Sequence, residues 1–286
     1  MRRSSATRRQ FVRSLVRSAT GACLLSAAGC STLLTQMTEK ASPTGRDLPP
    51  LRLPSQAVQL ELLFVERPVN DPLLGSPLWD EMDQMAGVPA AARLSLTENG
   101  FRFGFCGSEP PPTLAALLKE VGEDAYDTQL GFYTGRRVTL RPGAATEVQA
   151  SLVPRDWSVT MIEAGPEPRT YESARGVLRV DLRAAEDGWA ELRITPEVHH
   201  GAERETPTPV GNGWRYAKQQ RVDMLMDASF TQRLSIGELF VLSADETGAD
   251  RVGNQFFRRE DAGRLMQRVL VLRVAAIDRG AELAGR

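Results

Sequence analysis

The pattern of apolar and polar positions before residue 127 mixes strand-like and helix-like spacing. A buried strand is predicted from a continuous apolar run, and three helices from apolar positions three or four residues apart. The predicted elements are, in order, a strand at 58–66, helices at 78–85 and Ala90–Glu98, a strand at Phe101–Cys106 and a helix at 114–121. Residues 55–126 are therefore expected to form a small β-α-α-β-α unit.

From residue 127 to residue 286 the pattern changes to short alternating runs separated by Gly, Pro and Asp-Gly turns. Glu186-Asp187-Gly188 lies between two such runs and is typical of a tight hairpin. Residues 203–213, which include Pro207 and Pro209, are predicted to form the longest loop. The predicted strands are 128–132, 137–140, 147–153, 158–163, 176–184, 189–196, 221–230, 238–243 and 268–277. The fold class is thus α+β, with the small unit followed by an antiparallel β sandwich or partly closed barrel.

The first 29 residues have the three parts of an export signal in order: a basic start, an apolar middle and a small-residue exit. Within them, Thr7-Arg8-Arg9-Gln10-Phe11-Val12-Arg13 resembles the twin-arginine export motif. Arg8, Arg9 and Phe11 occupy its characteristic positions. The resemblance implies that residues 1–29 are a signal peptide and that the protein is exported already folded.

Ala27-Ala28-Gly29-Cys30 resembles a lipobox, the site at which a signal peptidase cuts before a lipidated cysteine. The resemblance implies that Cys30 carries a covalent diacylglycerol and an acyl chain, and membrane lipid is therefore an expected partner. No other cofactor is predicted. Residues 30–54 are rich in Ser, Thr, Pro and Gly and are expected to form a flexible tether. Since Ser31 follows, the expected location is the periplasmic face of a membrane in the cell envelope, with the outer membrane favoured.

Charge excludes one class of partner. The chain has 35 Lys and Arg against 36 Asp and Glu, and six of the arginines and none of the acids fall in residues 1–29. The remainder therefore carries 29 basic and 36 acidic residues, a net charge of −7. This balance argues against nucleic acid as a partner, because nucleic-acid binding depends on a positive surface.

Cysteine use excludes a disulfide framework. Of three cysteines, Cys23 lies inside the predicted signal and Cys30 at its end, which leaves Cys106 without an intramolecular partner. Cys106 ends an apolar segment, and we interpret it as a small buried hydrophobic residue in preference to a reactive thiol.

Three stretches resemble the secretins, the outer-membrane ring proteins of secretion systems. Residues 58–66 (VQLELLFVE) are similar to the strand that enters the secretin β-domain. Residues 187–198 (DGWAELRITPEV) and 234–242 (LSIGELFVL) are similar to two later strands of that domain. No long membrane-lining hairpins are evident in the sequence, so the resemblance implies a related β-domain and does not by itself imply a pore.

Two histidines are the chain's only imidazoles, at His199 and His200. Alternate residues of a strand share a face, so Glu197 and His199 could hold a metal together, with Glu203 as a third ligand. The competing interpretation, a solvent-facing strand end, is favoured. Trp214, in the polar loop predicted at 211–216, is the best candidate for an exposed recognition residue.

Catalytic motifs are absent from the sequence. No Gly-x-Ser-x-Gly elbow, phosphate loop or dinucleotide-binding glycine pattern occurs. The sequence thus favours a non-catalytic, lipid-anchored envelope protein that binds or assembles with a protein or cell-wall partner. Two alternatives stay open: a metal-dependent enzyme that uses the Glu197/His199 region, and a secretin-like ring component.

Overall fold

A computed structural model of the chain describes residues 57–85, 87–119, 129–130, 133–160, 168–210, 213–246, 248 and 250–278. The predicted signal peptide and tether, with Arg8, Arg9, Phe11 and Cys30, lie outside the described residues. Their assignment therefore stays a prediction.

Thirteen strands and four α-helices are described within those ranges. The strands are β1 (Ala57–Pro68), β2 (Phe101–Cys106), β3 (Gln129–Leu130), β4 (Tyr133–Leu140), β5 (Ala145–Gln149), β6 (Arg155–Val159), β7 (Arg169–Glu186), β8 (Trp189–Val210), β9 (Gly213–Met224), β10 (Phe230–Ser235), β11 (Leu239–Ala244), β12 (Arg258–Asp261) and β13 (Arg264–Asp278). The helices are α1 (Ser76–Asp80), α2 (Ala90–Glu98), α3 (Pro112–Lys119) and α4 (Val252–Phe257), and a 3₁₀ turn at Pro72–Leu74 precedes α1.

Two antiparallel sheets form the core. The first has the order β2-β11-β13-β1-β4-β3, with β12 paired to β13. The second has the order β10-β8-β7-β5, with β6 paired to β7 and β9 to β8. Apolar side chains of both sheets meet in one cluster, which includes Leu62 and Leu270 from the first sheet and Leu178 and Leu192 from the second. The predicted α+β class with an antiparallel sandwich is confirmed.

The second face of the first sheet is covered by short helices. Leu63 of β1 packs in a separate apolar cluster with Trp79 of α1 and with Leu114 and Leu117 of α3. Because both faces of β1 are buried, its sequence is a continuous apolar run and does not alternate. One charge interrupts the run: Glu61 is 5% exposed and accepts hydrogen bonds from Arg137 (3.1 Å) on β4 and from Arg273 (2.8 Å, Nε) on β13.

Helix α4 seals the sandwich between its sheets. The ring of Phe256 contacts Phe101 of the first sheet and Trp157 of the second, with centroids 5.2 Å and 5.8 Å apart. Glycines make this close packing possible. A Cβ atom on Gly253 would lie 2.1 Å from the carbonyl oxygen of Gly100, and one on Gly176 would lie 2.6 Å from the Phe256 ring.

Several sequence predictions can be compared with these elements. The strands at 58–66 and Phe101–Cys106, the helix Ala90–Glu98 and the hairpin after Glu186 are confirmed. The helix predicted at 78–85 is wrong in its extent, because it ends at Asp80. The chain then turns so that the backbone of Asp83 exchanges two 2.9 Å hydrogen bonds with Phe105 of β2.

Candidate functional site

Strands β8 and β9 run on past the sandwich as a two-stranded ribbon, which we define as residues 202–210 and 213–221. Strand β8 has 22 residues, which at about 3.3 Å per residue is about 70 Å of chain. Its pairing with β7 stops at His199, whereas its pairing with β9 continues to Val210. Beyond that point each strand of the ribbon has one edge that no other described strand pairs with.

The loop predicted at residues 203–213 is therefore wrong, because residues 204–210 are strand residues paired with β9. The prolines misled the prediction. Pro207 and Pro209 stand opposite Tyr216 and Trp214. The carbonyl of Pro196 accepts a hydrogen bond from the backbone N–H of Leu225. Before the bulge, the backbone N–H and C=O groups of even-numbered β8 residues therefore point toward β9. Strand β9 has no bulge, so its odd-numbered residues point their backbone groups toward β8 along its whole length. Pro207 and Pro209 stand opposite even-numbered residues of β9, and their backbone groups therefore point to the free edge of β8. A proline there removes no hydrogen bond between the two strands.

The ribbon carries large aromatic side chains in solvent. Trp214 is 73% exposed and Tyr216 is 70% exposed. They are two residues apart on β9, so they lie on one face of the ribbon. Trp214 lies on a strand and not in the predicted loop; its role in recognition stays a prediction. Large exposed aromatics on a soluble surface are typical of interaction sites.

A bulge joins the ribbon to the sandwich. The register of β8 with β9 shifts between His200 and Arg204, and Gly201 has a left-handed φ of 77°. The Gln220 side chain donates to the carbonyls of Gly201 (2.9 Å) and Ser173 (2.8 Å), which ties both ribbon strands to β7. The ribbon thus leaves the sandwich from a braced base.

A polar cluster supports the same base. The Tyr171 hydroxyl donates to Asp223 (3.1 Å), and the His200 Nε2 atom lies 3.5 Å from the same carboxylate. The Tyr171 and His200 rings meet edge to face at 4.8 Å. Burial raises the pKa of Tyr171. His200 is therefore placed as a packing residue of the ribbon base, on the opposite face of β8 from His199.

The predicted pair Glu197 and His199 does come together, in a buried position. Glu197 is 2% exposed and His199 is 5% exposed, with 2.9 Å between Oε2 and Nε2. The strand does not end there as expected, since β8 continues to Val210. Glu203 lies in the bulge between His200 and Arg204 and is exposed, whereas Glu147 of β5 offers a carboxylate oxygen within 4.8 Å of ligand atoms of the other two.

Glu147 was missed because its relation to His199 depends on two strand registers. Glu147 stands opposite Arg179 of β7, which in turn stands opposite Thr195 of β8. The strand containing Glu147 was predicted, but nothing in the sequence orders β5 next to β7. Alternation of apolar and polar residues predicts which face of a sheet a side chain lies on, but it does not predict which strand lies next to it.

Cys106 is half-buried and packs against the apolar cluster beneath α1 and α3. Burial raises the pKa of its thiol from 9.0 to about 11. At pH 8 about 100-fold less thiolate is present than for an ordinary cysteine. We expect iodoacetamide to alkylate Cys106 about 100-fold more slowly in the folded protein than in concentrated urea, measured by mass spectrometry on a Cys23→Ser, Cys30→Ser chain. Equal rates in the two conditions would contradict the shift.

No protein-family model matches this chain, and no curated protein matches its sequence. Solved structures similar to it include the type II secretin GspD from enteropathogenic Escherichia coli, at 14% identity and a TM-score of 0.26, covering 86% of this chain and 73% of that one. The V. cholerae type IV competence pilus secretin PilQ is similar at 10% identity and a TM-score of 0.23, covering 78% and 60%. The ETEC pilotin–secretin AspS–GspD complex is similar at 13% identity and a TM-score of 0.25, covering 88% of this chain and 54% of that one. The likeness to secretins stays a resemblance at these scores.

Of the secretin-like stretches, residues 58–66 lie on β1 of the first sheet and residues 187–198 open β8 of the second. Residues 234–242 run from the end of β10 in the second sheet through a turn into β11 of the first. Long hairpins are present among the described strands, since β7, β8 and β9 form a meander with strands of 18, 22 and 12 residues. That none of them lines a membrane stays a prediction. Among the described residues, no helix has the length and apolar character needed to cross a bilayer.

Proposed function

We propose that this protein is an exported, lipid-anchored assembly module of the cell envelope, without catalytic activity, whose copies join side by side through the ribbon. The single observation that carries the proposal is a two-stranded ribbon whose outer edges are free of other described strands and whose surface bears Trp214 and Tyr216. Its attachment at Cys30 and its place at the periplasmic face of the outer membrane are parts of the same proposal.

An isolated ribbon of this kind needs a neighbour. A two-stranded hairpin is marginally stable in water, because it buries little apolar surface and leaves backbone groups unpaired at both edges. Within the described residues, the side chains from Ala202 to Pro207 and those placed from Trp214 to Arg221 are exposed or half-buried. The sandwich braces only the base, so the outer part is expected to order fully when a partner covers it.

A second copy of the chain fits this surface. The two free edges differ, one belonging to β8 and the other to β9, and they lie on opposite sides of the ribbon. Placing β9 of one copy beside β8 of the next continues an antiparallel order. Such a head-to-tail contact between unlike edges closes into a ring if the rotation between copies closes, and otherwise grows as a filament.

The side chains would supply much of the contact. Pro207 and Pro209 remove two donors from the β8 edge, so a strand added there can donate to their carbonyls but receive no N–H in return. Buried aromatics dominate many interfaces, and the exposed pair on β9 is suited to that role. The resemblance of residues 58–66, 187–198 and 234–242 to secretins supports a ring in preference to a filament.

The test is the mass of the native particle. We expect the full chain, extracted from its own envelope in mild detergent, to sediment as a discrete particle of many copies and to give closed rings in negative-stain images. A monomer in detergent at the concentrations found in the envelope would overturn the proposal. A complex of one copy with another protein, identified by crosslinking, would instead favour a partner-binding module that uses the same ribbon.

A further inference from the structure

We infer that Glu147, Glu197 and His199 form a binding site for a divalent transition metal, with Zn²⁺ the best match, independent of the assembly proposed above. The three residues come from β5 and β8, on the face of the second sheet that does not carry His200. One ligand atom from each lies within 4.8 Å of the others. Within the described part of the chain, no other three His, Cys, Asp or Glu residues bring their ligand atoms this close together.

The chemistry of the set suits zinc. One imidazole nitrogen and two carboxylate oxygens are a donor combination found at zinc sites, and three protein ligands leave a fourth tetrahedral position for water or another group. Ca²⁺ and Mg²⁺ prefer sites built from oxygen alone, so the imidazole disfavours them. The ligand atoms are close enough that small rotations of side chains would bring each to about 2.0–2.2 Å from a common ion.

A second observation points to a ligand and does not depend on the spacing. The Oε1 atom of Glu197 is buried and has no hydrogen-bond partner among the described residues, in a side chain that is 2% exposed. A carboxylate oxygen left in that state costs free energy, because desolvation is not offset by any bond. A bound cation between Glu197, His199 and Glu147 would remove this cost.

The arginines on the same face of β7 do not serve that purpose. Arg175 stands opposite His199, but its buried Nε atom has no hydrogen-bond partner among the described residues. Arg179 lies on β7, opposite Glu147 in one register and Thr195 in the other. Its Nε atom donates to both oxygens of Asp181, at 3.1 Å and 3.3 Å. The Arg179 guanidinium is thus bound to Asp181 and does not neutralise Glu197.

The site would tie β5 to β8 across β7, just below the bulge where the ribbon begins. Glu197 and His199 precede Gly201, the left-handed residue of that bulge. A metal held at this point would therefore fix the direction in which the ribbon leaves the sandwich. The exposed Glu147 would give the ion a path from solvent.

Zinc titration of the metal-free protein tests the inference. The full chain in detergent, purified without a histidine tag and treated with a chelator, is titrated with ZnCl₂ by calorimetry, and Co²⁺ is used as a spectroscopic probe of coordination. We expect one Zn²⁺ per chain and a higher melting temperature with zinc. Glu197→Gln and His199→Gln should weaken binding by more than about 100-fold, since a lost ligand costs more than a lost supporting contact.

The chain offers matched controls. His200→Gln removes the other imidazole, and Glu203→Gln removes the carboxylate that the sequence favoured; both should bind zinc as the wild type does. If the buried Glu197→Gln variant fails to fold by circular dichroism, the exposed Glu147→Gln variant carries the test, with a loss of at least about 10-fold expected. Absence of zinc binding in the wild type, or unchanged binding in the Glu147 and His199 variants, overturns the site. Neither result bears on the assembly, which is read from sedimentation.

Discussion

Replacement of residues 201–220 by Asn-Gly is expected to leave the sandwich folded and to abolish assembly. His200 and Arg221 are already paired across the two strands, so a two-residue turn can close the shortened hairpin. The removed segment contributes no side chain to either apolar cluster, and the melting temperature should therefore change by only a few degrees. Sedimentation velocity should show a monomer where the full chain shows a large particle.

A milder change should weaken the contact in proportion to the aromatic surface removed. Trp214→Ala and Tyr216→Ala are each expected to cost about 2 kcal/mol of association free energy, or roughly 30-fold in the association constant. Leu265→Ala is the matched control, because Leu265 is 51% exposed but lies on β13, away from the ribbon.

If the protein in which Asn-Gly replaces residues 201–220 still forms particles of wild-type size, a surface other than the ribbon joins the copies.

Gly253→Ala is expected to destabilise the folded protein by about 3 kcal/mol or more. The new methyl group would lie 2.1 Å from the Gly100 carbonyl oxygen and 2.4 Å from its carbon. These are backbone atoms that cannot rotate away as a side chain could. The Gly253 N–H also donates to the Asn99 carbonyl (2.8 Å), so moving α4 outward would break that bond. Urea unfolding followed by tryptophan fluorescence measures the free energy of unfolding.

Gly107→Ala is the control for this substitution. A Cβ atom at Gly107 meets nothing within 4 Å, and the free energy of unfolding should stay within about 0.5 kcal/mol of the wild type. Similar unfolding midpoints for the Gly253→Ala and Gly107→Ala proteins would mean that α4 does not pack as described.

The parts of the fold that sequence reasoning found are those set by local pattern. The buried run of β1, the helix Ala90–Glu98 with its Asn-Gly end and the hairpin at Glu186 each depend on neighbouring residues only. Helix α4 was missed because six residues give less than two turns, too short for apolar periodicity to be recognised. Its existence depends on Phe256 filling a gap between sheets, which is a tertiary property.

The candidate site divides in the same way. The spacing of Glu197 and His199 on one strand placed both on one face, and the structure brings them together. The third member could not be chosen correctly, because Glu203 is near in sequence but Glu147 is near in space. A bulge after His200 carries Glu203 away, and no local signal marks that bulge except Gly201.

The two prolines on the outer margin of β8 also bear on how the molecule travels. A long exposed strand is a template for uncontrolled cross-β stacking, and a missing amide hydrogen at alternate positions interrupts such stacking. If the chain is exported and assembles as proposed, a precursor with this margin would remain dispersed during transit and still be joined later by its aromatic side chains. Oligomerisation would then begin only at the membrane, where the local concentration of chains is high enough for many weak contacts to form cooperatively.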